Sequence, residues 1–159
     1  MAPITADQEI SCSLPPQKLF KAFVLDANEL MPKVIPNFFK SFETIEGDGG
    51  VGSVMLVTFA EGSGIKPAKH KIVELDEENH VFKYNLIEGG ILGDDLESVS
   101  YVLTFDKGAD GGCVIKIAAT YHPKKDDHEH GIIKEIIEKG KEATKGFIHA
   151  IEAHLHGHT

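Results

Sequence analysis

The chain has 159 residues, the size of one domain, and at that length an apolar core forms without disulfide or metal staples. Its formal net charge is −9, and all 16 residues counted as Lys or Arg are Lys. An acidic chain without the bidentate fork of Arg is poorly built for phosphate or guanine recognition, which argues against nucleic acid as a partner. An apolar fraction of 42% excludes the disordered and fibrous classes.

Residues 1–14 carry neither the basic nor the apolar region of a secretory leader, and no apolar run reaches the roughly 18 residues of a membrane span. The expected compartment is therefore the cytoplasm. Cys12 and Cys113 stand far apart in sequence, in strand-like runs, and are expected as two reduced thiols.

Ile4, Ala6, Ile10, Cys12 and Leu14 share one parity, with Gln8 the exception, and predict a first strand. Pro15 and Pro16 end it and open a helix for which Ser13 is a candidate cap. Leu19, Phe20, Phe23 and Val24 have the spacing of one helical face. Asp26 followed by Glu29 resembles a capping box for a second short helix, which Pro36 stops. Six strand-like runs follow: 40–45, 53–59, 69–75, 80–87, 99–105 and 113–121, separated by Gly-rich or acidic turns. In the run 99–105, Val99, Tyr101, Leu103 and Phe105 alternate with mostly polar residues. The hairpin-like spacing predicts a largely antiparallel sheet of seven strands. From about residue 129 to 155 the apolar period changes to i, i+3, i+4, giving one amphipathic helix about 40 Å long.

A sheet must bury one face, and this helix is the only element large enough to cover it. Gly140 and Ala143 lie on its buried stripe. Small residues there fit two arrangements: a cavity bounded by Phe59, Phe82, Tyr84 and Tyr101, or a helix that packs closely on the sheet. The pattern alone leaves both open. Gly47-Asp48-Gly49-Gly50-Val51-Gly52 superficially resembles a phosphate loop, but it leads into the strand Ser53–Phe59 rather than a helix N-terminus. It reads as a hairpin turn.

Several segments together resemble a known family, the tenth class of plant pathogenesis-related proteins, typified by the major birch pollen allergen. They are Leu19 to Asp26, Pro32-Lys33-Val34-Ile35-Pro36, Ile45 to Gly52, Ile87-Glu88-Gly89-Gly90, Tyr121-His122, and Ala150-Ile151-Glu152-Ala153-His154-Leu155. The resemblance spans essentially the whole chain. It implies an α+β helix-grip fold over residues 1–159 as a single ligand-binding domain: a seven-stranded antiparallel sheet curved around a long C-terminal helix, with two short helices after the first strand. It implies a hydrophobic cavity that binds flavonoids, cytokinins or other phytohormones, sterols and fatty acids, without cofactor or metal, and a link to defence and stress. The cavity positions implied are Phe23, Phe59, His70, Phe82, Tyr84, Tyr101, Ala118, Gly140 and Ala143. The chain is expected to act as a monomer, with a dimer the alternative.

Enzymatic readings use the same cavity. Norcoclaurine synthase resembles a divergent member, and its catalytic Lys after Cys-Val-Ile matches Lys116 in Cys113-Val114-Ile115-Lys116. A Lys in an apolar cavity would have a lowered pKa suited to acid–base work, with Glu97 and Tyr101 as further candidates. Ribonuclease activity ascribed to some relatives maps to Glu97, but the accompanying Lys and Tyr positions hold Met55 and His154. That removes the cation needed at a developing phosphorane. The gate and latch of the related abscisic acid receptors are absent, and the latch needs an Arg. The C-terminal histidines, including His128, His130, His154, His156 and His158, read as a solvated tail rather than a metal site.

Overall fold

The computed structural model describes residues 2–124 and 131–156. Strand β1 (Ile4–Cys12) ends before Pro15, and Pro16 occupies the first turn of helix α1 (Pro16–Phe20). The cap of α1 is Pro15, not Ser13: the Ser13 N–H and hydroxyl both donate to Glu152 Oε2, at 2.6 and 2.7 Å. A π-helical turn (Lys21–Leu25) leads into α2 (Ala27–Val34). The capping box expected at Asp26 is not made, because its carboxylate accepts from Lys21 Nζ at 2.7 Å.

The remaining strands are β2 (Phe39–Glu46), β3 (Val54–Phe59), β4 (Ala68–Asp76), β5 (Val81–Glu88), β6 (Leu96–Lys107) and β7 (Cys113–Pro123). They form one antiparallel sheet in the order β1-β7-β6-β5-β4-β3-β2. Consecutive strands from β2 to β7 pair as hairpins, but β1 and β2 lie on opposite edges. The chain therefore crosses from edge to edge between Cys12 and Phe39, and α1, the π-helical turn and α2 make that crossing. Phe20 seats this corner against β6, its ring edge-on to Phe105 at 5.3 Å.

The Gly loop is the β2–β3 turn. Gly47 has φ +86°, and a Cβ there would collide with the side chain of Ser53, which is buried and accepts from Gly49 N–H at 2.9 Å. Gly50 N–H donates to Asp48 Oδ1 and Gly52 N–H to the Ile72 carbonyl. These amides are committed to shaping the hairpin.

Helix α3 (Gly131–His156) buries Ile133 and Ile137 near its start and Ile148 and Ile151 near its end. Between them, Gly140, Ala143 and Thr144 remain half-buried. Its backbone comes close to β1, the π-helical turn and α2 rather than to the middle of the sheet. Ser13 anchors it near its C-terminal end through Glu152, and Gln8 Nε2 donates to the Lys141 carbonyl at 2.8 Å. The helix is thus held to the β1 edge through Ser13 and Gln8 and to the β2 edge through Phe147, whose ring lies 4.9 Å from that of Phe39.

Candidate functional site

Alternation decides which side chains enter the space between the sheet and α3. In β5, Phe82, Tyr84 and Leu86 pair with Leu103, Tyr101 and Val99 of β6, and all six share the inner face. In β4, His70 lies opposite Leu86. A register shift between Ile72 and Glu74 then brings Leu75 onto the same face, opposite Phe82. An aromatic ladder results. His70 and Tyr84 have centroids 4.9 Å apart, Phe82 and Tyr84 5.2 Å, and Tyr84 and Tyr101 4.8 Å with planes 19° apart. The Tyr101 hydroxyl extends the ladder towards that of Tyr121 on β7, close enough for the two phenols to influence each other.

These groups stand mid-sheet, with strands on both sides, yet His70, Phe82, Tyr84 and Tyr101 are only half-buried. Their polar atoms are nonetheless strongly desolvated. Burial pushes the phenols of Tyr84 and Tyr101 well up, and it pushes the His70 imidazole down to about 4. Surface that is uncovered yet crowded by protein atoms lies in a recess rather than on a convex outer face.

Part of that space is a chamber of about 50 Å³ between β1, β7, Tyr101 of β6 and the middle of α3. Ala6, Gln8, Tyr101, Ile117, Ala119, Tyr121, Gly140, Lys141 and Thr144 line it. A Cβ built on Gly140 would meet nothing within 4 Å, so of the two arrangements open to Gly140 the structure has the roomy one. The chamber holds a few waters at most. It is polar at Gln8, Lys141, Thr144 and the two phenols and apolar at Ala6, Ile117 and Ala119, a mixture typical of a small-molecule site. A larger hollow of about 400 Å³ lies on the solvent side of α3, lined by Gln8 with Glu135, Glu138, Lys139, Lys141, Glu142 and Lys145. It is an open trough bordered by charged side chains rather than an enclosed pocket.

Of the positions expected from sequence, Tyr101 and Gly140 line the chamber, and His70, Phe82 and Tyr84 form the ladder beside it. Ala143 is half-buried on α3 but is not among the chamber's lining residues. Phe23 packs on Phe105 at 6.3 Å, and Phe59 joins Phe38 and Phe39 in a ring cluster that also takes in Phe147. Ala118 is a correction: it is exposed on the outer face, because β7 buries its odd-numbered residues from Cys113 to Tyr121. The inner positions are Ile117 and Ala119. The same parity places Lys116 outside, where its Nζ lies 3.6 Å from Asp106 Oδ2. Glu97 is also exposed. The three acid–base candidates, Lys116, Glu97 and Tyr101, are therefore not brought together. Gly47, Asp48, Gly49, Gly50 and Gly52 shape their hairpin and do not line the chamber. Sequence reasoning missed Gln8, Tyr121 and Thr144. Gln8 carried a signal, as the single polar residue in the apolar parity of β1.

Among the described residues, no group of three or more His, Cys, Asp or Glu is placed to hold a metal ion. His128, His130 and His158 lie outside the described residues. No described helix is long and apolar enough to cross a membrane.

The model of the Pathogenesis-related protein Bet v 1 family matches residues 1–158. The chain belongs to this family. Among curated members, it is 42% identical over 158 residues to the major allergen Pru av 1 of Prunus avium, covering 99% of this chain and 97% of the relative. It is also 42% identical over 155 residues to the major strawberry allergen Fra a 1-2 of Fragaria ananassa, covering 98% and 95%. Among solved structures, Ara h 8.0201 superposes with a TM-score of 0.85 at 36% identity, covering 98% of this chain and 99% of that one. Norcoclaurine synthase of Thalictrum flavum superposes with a TM-score of 0.78 at 24% identity, covering 97% and 87%; at that identity the likeness is one of fold. This Bet v 1 family chain thus has the helix-grip architecture, with its aromatic ladder on the gripped side.

Proposed function

We propose that this Bet v 1 family protein is a cytoplasmic carrier or reservoir for amphiphilic small molecules of the flavonoid, cytokinin, sterol or fatty-acid kind, linked to plant defence and stress. The observation that carries the reading is the ladder His70–Tyr84–Tyr101. It is uncovered and desolvated, and it lies beside a chamber into which Gly140 projects no side chain. Apolar ligand surface gains roughly 25 cal/mol per Å² on leaving water, while the Tyr101 and Tyr121 hydroxyls, Gln8 and the neutral His70 ring orient polar groups. The chamber's 50 Å³ is smaller than a flavonoid, so a guest of that size also covers the bare inner faces of Phe82 and Tyr84 and moves α3 or its neighbours outward.

Fluorescence displacement of a naphthalene-sulfonate dye by a panel of flavonoids, cytokinins, sterols and fatty acids tests the proposal. Saturable displacement by at least one class is expected. Failure of the dye to bind, and of every class to shift the melting temperature, would overturn it.

A further inference from the structure

The β6–β7 turn delivers Cys113 directly opposite Cys12, as the last rung of the β1–β7 register. Opposed residues project from the same face of a sheet, and both side chains are buried, at 6% exposure for Cys12 and 1% for Cys113. Both are free thiols. Directly opposed residues of an antiparallel pair have Cα atoms about 4.5 or 5.5 Å apart, and a disulfide takes Cα separations of about 4.4–6.8 Å. The rung is within reach of a disulfide at either spacing.

The backbone around the rung is held from two sides. A Cβ on Gly112 would come within 2.5 Å of the Cys12 carbonyl oxygen, so the turn lies directly against β1. That turn is closed by Gly108 N–H to the Gly112 carbonyl and Gly112 N–H to the Ala109 carbonyl, both at 2.9 Å. Beyond Cys12, Ser13 N–H is tied to Glu152 of α3.

We propose that Cys12 and Cys113 form a redox modification site, a reversible cross-strand disulfide that staples β1 to β7 when the chain meets glutathione disulfide. One cysteine thiolate attacks the glutathione S–S bond and forms a mixed disulfide, releasing one glutathione. The second cysteine, losing its proton, attacks the protein sulfur of that mixed disulfide and releases the other. Two protein S–H bonds and one glutathione S–S bond are exchanged for one protein S–S bond and two glutathione S–H bonds. Burial pushes the Cys12 thiol up to about 11 and the Cys113 thiol up to about 12, so exchange in the closed fold is slow and proceeds when the end of β1 opens. The staple would join the strand carrying Ala6 and Gln8 to the strand carrying Ile117, Ala119 and Tyr121, two walls of the same chamber.

The test is equilibration of the full chain in glutathione buffers of graded ratio, with and without urea, followed by acid quench, intact mass and non-reducing peptide mapping. The expected product is a monomer lighter by two hydrogens, with a linked Cys12–Cys113 peptide, restored by dithiothreitol. Half-oxidation of the folded chain is expected at a ratio about 30-fold or more toward reduction compared with the chain in urea. Equal ratios in both states would overturn the proposal. So would persistent thiols, stable glutathione adducts or intermolecular dimers in the folded chain.

Discussion

Replacing Gly140 by Ala separates a hollow interior from a packed one by the sign of its effect. Gly in a helix interior costs about 0.5–1 kcal/mol relative to Ala, and Gly140 lies ten residues into a 26-residue helix. The added methyl would meet no heavy atom within 4 Å, so no overpacking offsets the gain. At about 2–4 °C per kcal/mol for a chain of this size, Tm is expected to rise by roughly 1–4 °C. Were α3 pressed against the sheet at this point, the same methyl would cost about 1–3 kcal/mol and Tm would fall. Gly146→Ala supplies the reference, since Gly146 is exposed, equally free of neighbours, and reports helix propensity alone. Thermal melts followed by circular dichroism read both variants. A rise at 146 with a fall at 140 would refute the hollow interior. Gly140→Leu carries the argument further: its side chain enters the chamber and is expected to lower dye affinity while the fold is retained.

Three further outcomes follow from the geometry. His70, whose pKa falls from about 6.5 unfolded to about 4 folded, remains neutral in the native chain while the unfolded chain gains a proton; stability is thus complete above pH 6.5 and is lost as pH drops toward 4, by on the order of 2–3 kcal/mol, a loss that urea titrations should find reduced in His70→Gln. Lys116→Ala removes an exposed ion pair, so stability is expected to change by less than about 1 kcal/mol and ligand affinity not at all; a large loss of affinity by calorimetry would contradict its place on the outer face. Tyr101→Phe removes a hydroxyl from the chamber wall and is expected to weaken hydroxylated ligands by about 0.5–1.5 kcal/mol in titration calorimetry, more than it weakens the dye.

Much of this architecture is legible in the sequence because alternation and helical period report which face of an element is buried. Val99, Tyr101, Leu103 and Phe105 do alternate into the interior, and all seven strands lie where the pattern puts them, with ends moved by a few residues. Placement fails where a position follows the family resemblance without its strand parity. Ala118 and Lys116 share a face of β7, and the buried run Cys113, Ile115, Ile117, Ala119, Tyr121 puts that face outside. Ile115 and Ile117, flanking Lys116, already carry this information in the sequence. The pairing of Cys12 with Cys113 has no such signal, because it depends on which strand closes the sheet edge, and β1 pairs with the last strand rather than the next one.

Whether the interior is hollow is a question of distance rather than face, and composition is silent on distance. Small residues in the middle of a buried helical stripe suit a close crossing as well as a void. The difference lies in what holds the helix. Ile133 and Ile137 bury one end of α3, and Ile148 and Ile151 the other. Glu152 is fixed to Ser13 and the Lys141 carbonyl to Gln8, both at the β1 edge. With Phe147 of α3 also packed on Phe39 of β2, the helix is fastened to both edges of the sheet and bridges its curved middle. The bare backbone at Gly140 and the small side chain of Thr144 then leave open the space that the separation creates. On this account the void follows from the anchors, so loosening the Gln8 contact, as in Gln8→Ala, should change the rate of ligand exchange more than the depth of the aromatic ladder.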